Sequence, residues 1–366
     1  MTYTFIRVGN IRPGITISED VFASTNFPII RKDTEITTEH IKVLKAFGIK
    51  VVKVEEQIVP KEKVVKEVDI ASINPDEILA KVQIDEEEVK TQYNDAVTIY
   101  KKEFSGWRAG IRPDIPKVRE FMIPLLEVFN KQSKMLMLLN DLSNPKDYLY
   151  HHSIAVGILA SSISRKMGYS VGQTLQIGLA GVLADCGMSK IDSAITEKPA
   201  FLTKNEFNEV KKHTIRSYQM LKDTPFLREE MKVAIIQHHE RLDGSGYPRG
   251  NKQEEISIIS QIVAVADVFH AMTTERVYRQ KESLFKVIEL ITEEEFGKFN
   301  IKVVQALHEL VGNLSIGMSV RLTNGKEGEV IFVPRDTKLR PTMKMREGDS
   351  ILNLTTNRHL AIEKVL

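Results

Sequence analysis

Apolar residues recur at helical spacing through the middle of the chain, between residues 140 and 312. Residues three or four positions apart share one face of a helix, so each such stripe predicts a helix with a buried side. Several helices of this kind can bury their stripes only against one another, which predicts an all-α bundle. The stripes are Ile154, Ile158, Ile163 and Met167; Leu175, Leu179 and Leu183; Met231, Val233, Ile235 and Ile236; and Ile258, Ile262, Val265 and Phe269.

The pattern differs at the N-terminal end of the chain. Thr37 is a candidate helix cap before the apolar positions Ile41, Leu44 and Phe47, and residues 49–54 have strand composition. We therefore expect a small α+β domain over residues 1–57. Residues 58–139 are rich in charge, with helical patterns over 85–104 and from about 116 to 139, and we expect a charged helical linker region there.

The C-terminal residues alternate between apolar and polar around Asn324-Gly325. An Asn-Gly pair between alternating segments is a strong signal for a β-hairpin. We therefore expect a small β appendage over residues 313–366, following a helical domain over residues 140–312. The predicted fold class is mainly α, with an α+β domain before the bundle and a β appendage after it.

Composition narrows the classes of function. The chain has 366 residues, a net charge of +2 and a single cysteine. This charge gives no basic field for binding nucleic acid, and one cysteine cannot form an intrachain disulfide. The N-terminus lacks the apolar core of a signal peptide, and no apolar run approaches the length of a membrane span. We therefore expect a cytoplasmic protein that binds neither nucleic acid nor membranes.

Histidines and carboxylates mark the candidate chemistry. Five of the nine histidines lie between His151 and His239, and His238-His239-Glu240 runs directly into a loop containing two glycines and a proline. Imidazole is the commonest protein ligand for transition metals. Asp185 and Asp267 stand in apolar helical segments, where a carboxylate is costly unless a metal, a cation or backbone N–H groups pair with it. The pattern indicates a metal centre, with structural pairing of the carboxylates as the alternative.

Two segments resemble the HD-GYP family of bacterial cyclic di-GMP phosphodiesterases, a branch of the HD metal-dependent phosphohydrolases. His238-His239-Glu240-Arg-Leu-Asp-Gly-Ser-Gly-Tyr247-Pro248 fits the family motif at every defined position. Ala266-Asp267-Val-Phe-His270-Ala-Met-Thr273 is similar to the family's A-D-x-F-D-A-L-T, and Glu275-Arg276-Val-Tyr-Arg279 to its D-R-P-Y-R/K. The resemblance covers about residues 148–312.

The resemblance implies an HD-type helical bundle that binds one or two divalent transition metal ions, with iron, manganese, nickel and zinc all open. It implies Asp185 as the bridging, catalytic carboxylate and Tyr247, Arg276 and Arg279 as substrate-binding residues. The implied metal ligands are His152, Asp185, His213, His238, His239 and Asp267.

The chain departs from the family pattern at two positions beside Asp185. The family's His-Asp dyad is Ala184-Asp185, and an alanine methyl cannot bind a metal. Met188 stands where the family has a lysine, and Lys190 could replace that lysine only if the loop is rearranged. The resemblance therefore implies one metal position that has lost a ligand and another that keeps all of its ligands.

Three further positions differ. Tyr148 stands where some family members have a glutamate that holds an extra metal, so we do not expect a three-metal site. Ser217 replaces a glycine after His213, and His270 replaces the second aspartate of A-D-x-F-D.

These departures leave three functions open. The first is an HD-GYP-type metal-dependent phosphodiesterase acting on cyclic di-GMP, with activity weakened by the missing histidine and lysine. The second is an inactive cyclic di-GMP receptor or protein-interaction module, and the third is an HD phosphohydrolase of another nucleotide. A protein partner on the Gly-Tyr-Pro loop and a homodimer are further expectations.

Overall fold

The computed structural model describes residues 3–8, 11–22, 28–47, 49, 51–55, 86–198, 200–275, 281–293, 297–312, 314–335, 337–348 and 350–366. The chain divides into two units, Met1–Val82 and Gln83–Leu366.

The first unit has the predicted α+β character. Helix α1 (Thr38–Ala46) begins after Thr37, whose hydroxyl accepts the backbone N–H of His40, so the predicted cap is present. Strand β1 (Tyr3–Arg7) pairs antiparallel with β4 (Val51–Glu55), and β2 (Val21–Phe22) with β3 (Pro28–Ile30). The core of this unit includes Ile17, Ile36, Leu44 and Val54.

The second unit contains the helical bundle. Its helices are α2 (Glu86–Arg108), α3 (Ile115–Lys131), α4 (Leu139–Leu142), α5 (Tyr148–Lys166), α6 (Val171–Leu183), α7 (Ser193–Thr196), α8 (Lys204–Lys211), α9 (His213–Leu221), α10 (Glu229–Gln237), α11 (Ile258–Thr273), α12 (Leu284–Glu293) and α13 (Ile301–Val311). Short 3-10 helices occupy Ser133–Leu138, Pro145–Asp147, Cys186–Lys190 and Gln253–Glu255.

Helix α5 is the central helix of the bundle. Every residue from His151 to Ser164 is buried, because α3, α6, α11 and α13 all pack against α5. The predicted stripe at Ile154, Ile158 and Ile163 is buried, but it describes only one side of a helix whose other sides are also covered. Small residues between the apolar ones allow this close packing: a Cβ at Gly157 would lie 2.2 Å from the Val182 side chain.

One predicted stripe is wrong at a single residue. Val233 is 37% exposed, whereas Met231, Ala234 and Ile235 form the buried face of α10. Two residues along a helix correspond to a rotation of about 200°, so a residue at that spacing from Met231 points away from the core.

Helices α2 and α3 lie in the region that we expected to be a charged linker, yet their apolar faces belong to the same core as the bundle. On α2 the aromatic residues Tyr93, Tyr100, Phe104 and Trp107 are buried, and the Tyr100 hydroxyl donates to the backbone carbonyl of Val182 at 3.1 Å. The many charges of α2 lie on its other faces and obscure this helical spacing in the sequence. The domain boundaries at residues 57, 139 and 312 stay predictions.

The C-terminal strands are β5 (Ser319–Leu322), β6 (Glu327–Phe332), β7 (Thr342–Met345), β8 (Ile351–Asn353) and β9 (Ile362–Val365). They form an antiparallel sheet in the order β8-β7-β6-β5-β9, which confirms the predicted β appendage. The Asn324-Gly325 turn joins β5 to β6, and Gly325 adopts a φ of +82° there. Arg340 forms an ion pair with Glu289 of α12 at 2.6 Å, which connects the sheet to the bundle.

Within the part of the chain that the structure describes, no helix combines the length and the apolar character needed to cross a membrane.

Candidate metal centre

Six imidazole and carboxylate side chains from separate parts of the bundle come close together. They are the six residues that the resemblance implied as metal ligands. They comprise His152 on α5, Asp185 between α6 and the following 3-10 helix, His213 at the start of α9, His238 and His239 directly after α10, and Asp267 on α11.

The six side chains form two groups that share Asp185. In the four-ligand group, atoms of Asp185, His213, His238 and His239 all lie within 4.8 Å of one another. In the three-ligand group, the same holds for His152, Asp185 and Asp267. The Oδ1 atom of Asp185 lies 3.0 Å from His213 Nε2, and its Oδ2 atom lies 3.6 Å from His152 Nε2. One oxygen therefore faces each group, which is the arrangement of a bridging carboxylate.

The backbone determines which nitrogen atoms of His213 and His238 face the four-ligand group. The Nδ1 atom of His213 lies 2.7 Å from the carbonyl oxygen of Val210, and that of His238 lies 2.7 Å from the carbonyl oxygen of Ile235. A carbonyl oxygen only accepts hydrogen bonds, so both Nδ1 atoms carry the proton. In the neutral rings, both Nε2 atoms therefore present lone pairs.

These lone pairs point at one another and at a carboxylate oxygen. The two Nε2 atoms are 3.4 Å apart, and Asp185 Oδ1 lies 3.0 Å from that of His213 and 3.6 Å from that of His238. When both rings are neutral, all three atoms are acceptors in a buried place, where an unpaired polar group is costly. Burial lowers the pKa of His213, but the hydrogen bond to Asp185 outweighs burial and raises this pKa, so a proton on Nε2 relieves part of the conflict. A cation among them resolves the conflict, and imidazole nitrogen with carboxylate oxygen suits iron, manganese, nickel and zinc.

The two carboxyl groups are held in the charged form that metal binding requires. Burial raises the pKa of Asp185, but the facing imidazoles of His213 and His238 outweigh burial and hold this pKa well below its usual range. Burial likewise raises the pKa of Asp267, and His239 and His152 lower it further than burial raises it. Burial and the neighbouring His238 together lower the pKa of His239, which favours its neutral, metal-binding form.

A chain of hydrogen bonds that the sequence did not indicate extends outward from the three-ligand group. His152 Nε2 lies 2.9 Å from Asp267 Oδ1, while His152 Nδ1 lies 3.0 Å from His270 Nδ1 and 3.1 Å from the Tyr148 hydroxyl. His270 Nε2 lies 3.2 Å from the hydroxyl of Thr274. His270 and Tyr148 therefore support His152 from the side opposite Asp267. The only signal for them in the sequence was that they replace an aspartate and a glutamate of the family pattern.

A close contact between two backbone segments places Asp185 beside His213. A Cβ at Gly187 would lie 2.2 Å from the His213 carbonyl oxygen, so only glycine allows this approach. The Ser217 hydroxyl accepts the backbone N–H of Gly187 and donates to the carbonyl of Ala184, both at 2.7 Å. Ser217, which replaces a glycine of the family pattern, thus fastens the segment that carries Asp185 to α9.

The loop after His239 is folded back onto the centre. The buried Glu240 carboxylate accepts the backbone N–H groups of Arg249 at 2.8 Å and Asn251 at 3.0 Å. A Cβ at Gly246 would lie 2.4 Å from the carbonyl oxygen of His239, so glycine is required for this close return. The return places the Tyr247 ring 4.7 Å from the ring of His239, measured between centres.

Comparisons with known proteins match the part of the chain that contains these side chains. Residues 135–300 match the family model described as an HD domain. The chain is 33% identical over 210 residues to the cyclic di-GMP phosphodiesterase PA4108 of Pseudomonas aeruginosa, an alignment that covers 57% of this chain and 50% of that protein. It is 39% identical over 184 residues to a cyclic di-GMP phosphodiesterase of Thermotoga maritima, with 48% of this chain and 49% of that protein covered.

Residues 135–300 therefore contain an HD domain, and the similarity to these two phosphodiesterases supports the resemblance to the HD-GYP family. The chain spans about half the length of the curated relatives that it matches. Among solved structures, it is similar to Bd1817, an HDG"Y"P protein from Bdellovibrio bacteriovorus, with a TM-score of 0.48 and 16% identity over 85% of this chain and all of that chain.

The positions where this chain departs from the HD-GYP pattern can now be located. Ala184 is buried and offers no ligand to the three-ligand group. Met188 is partly buried against the core. The Lys190 ammonium donates to the backbone carbonyl of Trp107, so Lys190 does not take the place of the missing lysine. Arg276 and Arg279 lie outside the described residues.

Proposed function

We propose that this chain is a metal-dependent phosphodiesterase that hydrolyses cyclic di-GMP. The observation that carries the proposal is the set of three facing ligand atoms, His213 Nε2, His238 Nε2 and Asp185 Oδ1, with a second group on the other oxygen of the same carboxylate. The names of the relatives in Pseudomonas aeruginosa and Thermotoga maritima support the choice of substrate.

The protein residues have separable tasks in this proposal. Asp185 would hold two ions at a fixed separation, with His213, His238 and His239 on one side and His152 and Asp267 on the other. Bound ions of this kind lower the pKa of water and neutralise charge on a phosphoryl group. Tyr247 would contact the substrate beside His239, and Arg276 and Arg279 would bind its phosphates, a task suited to guanidinium groups.

A second function is a receptor that binds cyclic di-GMP without hydrolysing it. Ala184 at the position of the family's histidine favours this function, because the three-ligand group then has two imidazole or carboxylate side chains besides the shared Asp185. The engagement of Lys190 with Trp107 favours it too, since one phosphate-binding cation is missing. The cytoplasmic location, the protein partner on the loop and the homodimer stay predictions.

The decisive experiment combines metal analysis with a turnover assay. Protein purified without added metal should contain at least one ion of iron, manganese, nickel or zinc per chain, because the four-ligand group is complete. Cyclic di-GMP should be converted to the linear dinucleotide or GMP. A second substrate to test is 3'3'-cGAMP, because the chain is 33% identical over 147 residues to the 3'3'-cGAMP-specific phosphodiesterase 3 of Vibrio cholerae. Binding of cyclic di-GMP without any product would favour the receptor, and absence of metal from the protein would overturn the metal-dependent phosphodiesterase.

Restoring the missing ligand should strengthen the three-ligand group. We expect Ala184→His to raise bound metal towards two ions per chain and to raise turnover about 10-fold or more, since single groups at such sites contribute about 10²–10³ in rate. Met188→Lys should add to this effect. Ala184→Leu is the control, because leucine adds bulk without a donor atom. Equal metal content and turnover in Ala184→His and the unchanged protein would contradict the proposed geometry.

A further inference from the structure

One lysine beside the metal centre is held by aromatic rings instead of by a carboxylate. The Nζ atom of Lys211, at the end of α8, lies 4.9 Å from the ring centre of Phe207 and 5.3 Å from that of Tyr247. Among the residues that the structure describes, no carboxylate lies within ion-pair distance of this ammonium. The neighbouring Lys212, by contrast, pairs with Glu209.

The Tyr247 ring connects this lysine to the proposed metal ligands. Its centre lies 4.7 Å from the ring centre of His239, and it meets the ring of His213 edge-on at 6.3 Å. Lys211 is thus separated from two members of the four-ligand group by a single aromatic ring. A cation over an aromatic face is attracted to it and keeps its other N–H groups available for a ligand.

The family pattern places a lysine near the phosphodiester, and this chain lacks that lysine. Met188 stands at the position of the family's lysine, and the Lys190 ammonium is engaged by the Trp107 carbonyl. Lys211 is half-buried, carries no carboxylate partner among the described residues and lies on the Tyr247 side of the centre. An ammonium in such a place gains a charge-assisted hydrogen bond when a phosphate arrives.

We infer that Lys211 binds a phosphate of the cyclic dinucleotide and so takes over the task of the lysine that Met188 replaces. The rings of Phe207 and Tyr247 hold its side chain in position for this contact. Phe207 is 45% exposed, so this end of α8 is open to a ligand from solvent. The inference rests on the proposed function, because it assumes that the substrate is a cyclic dinucleotide.

The test compares Lys211→Met with Lys212→Met in the full chain loaded with metal. Lys211→Met should weaken binding of cyclic di-GMP, measured by calorimetry, about 10-fold to 100-fold, which is the range of one charge-assisted hydrogen bond. Metal content and melting temperature should not change, because Lys211 holds no ion. Lys212→Met removes the adjacent ammonium, which already has a carboxylate partner, and should bind as tightly as the unchanged protein. Lys211→Arg should retain most of the affinity, since a guanidinium also stacks on aromatic rings.

The outcomes separate this inference from the proposed function. If the unchanged protein does not bind cyclic di-GMP, the proposed function fails and the inference fails with it. If the unchanged protein binds and Lys211→Met binds equally well at equal metal content, only the inference is overturned. A loss of affinity shared by Lys211→Met and Lys212→Met would also overturn it, because the effect would then come from surface charge and not from the contact.

Discussion

Asp185→Asn should remove metal from both groups and reduce hydrolysis of cyclic di-GMP by about 10³-fold or more, the upper range for a single electrostatic group. Asparagine keeps the shape of the side chain but offers one neutral oxygen and an amide that cannot accept. The Oδ1 and Oδ2 atoms of Asp185 face different groups, so both ions lose a ligand in one substitution. The measurement is metal content per chain by elemental analysis, followed by the turnover assay.

The control for this substitution is Asp243→Asn. Asp243 lies on the loop after His239, is exposed, and its carboxylate accepts from Ser245 and not from any group of the centre. Asp243→Asn should therefore keep its metal and its activity. Full metal content in Asp185→Asn would show that Asp185 is not the bridging ligand, and the division of the six side chains into two groups would then be wrong.

The six side chains of the candidate centre could be predicted from the sequence because the resemblance to the HD-GYP motifs identifies them and their residue types are chemically restrictive. His238 and His239 sit in an uninterrupted motif, and a buried carboxylate such as Asp267 requires a partner wherever it occurs. The fold class followed from the same kind of restriction, since apolar stripes and the Asn324-Gly325 turn each allow few structures. The roles proposed for Arg276 and Arg279 stay predictions.

The supporting residues could not be found in this way. The sequence showed that His270 and Ser217 replace family residues, but it did not show that His270 meets His152 or that Ser217 joins Gly187 to α9. Those contacts depend on distances between helices that are far apart in the chain. For the same reason, the sequence could not show that α2 belongs to the bundle. The aromatic residues of α2 have helical spacing, but their place in the core of the bundle is visible only in the folded structure.

Removing the metal should destabilise the protein, because an ion held by the folded centre stabilises the folded state over the unfolded chain. An ion present at about 1,000 times its dissociation constant stabilises the folded state by about 4 kcal/mol. For a domain of this size, that corresponds to a melting temperature lower by about 10 °C in the presence of a strong chelator. Calorimetry with and without the chelator measures the difference, and adding back iron, manganese, nickel and zinc one at a time identifies which ion restores it.

His238→Ala separates the metal effect from ordinary packing. This substitution deletes one of the two facing Nε2 atoms and also leaves a cavity, so it lowers the melting temperature by itself. The cavity is present with and without the chelator, and its effect cancels in the difference between the two scans. That difference should be far smaller in His238→Ala than in the unchanged protein. If the unchanged protein melts at the same temperature in both scans, no ion stabilises the fold, and the hydrogen bond from a protonated His213 Nε2 to Asp185 is then sufficient to hold the centre together.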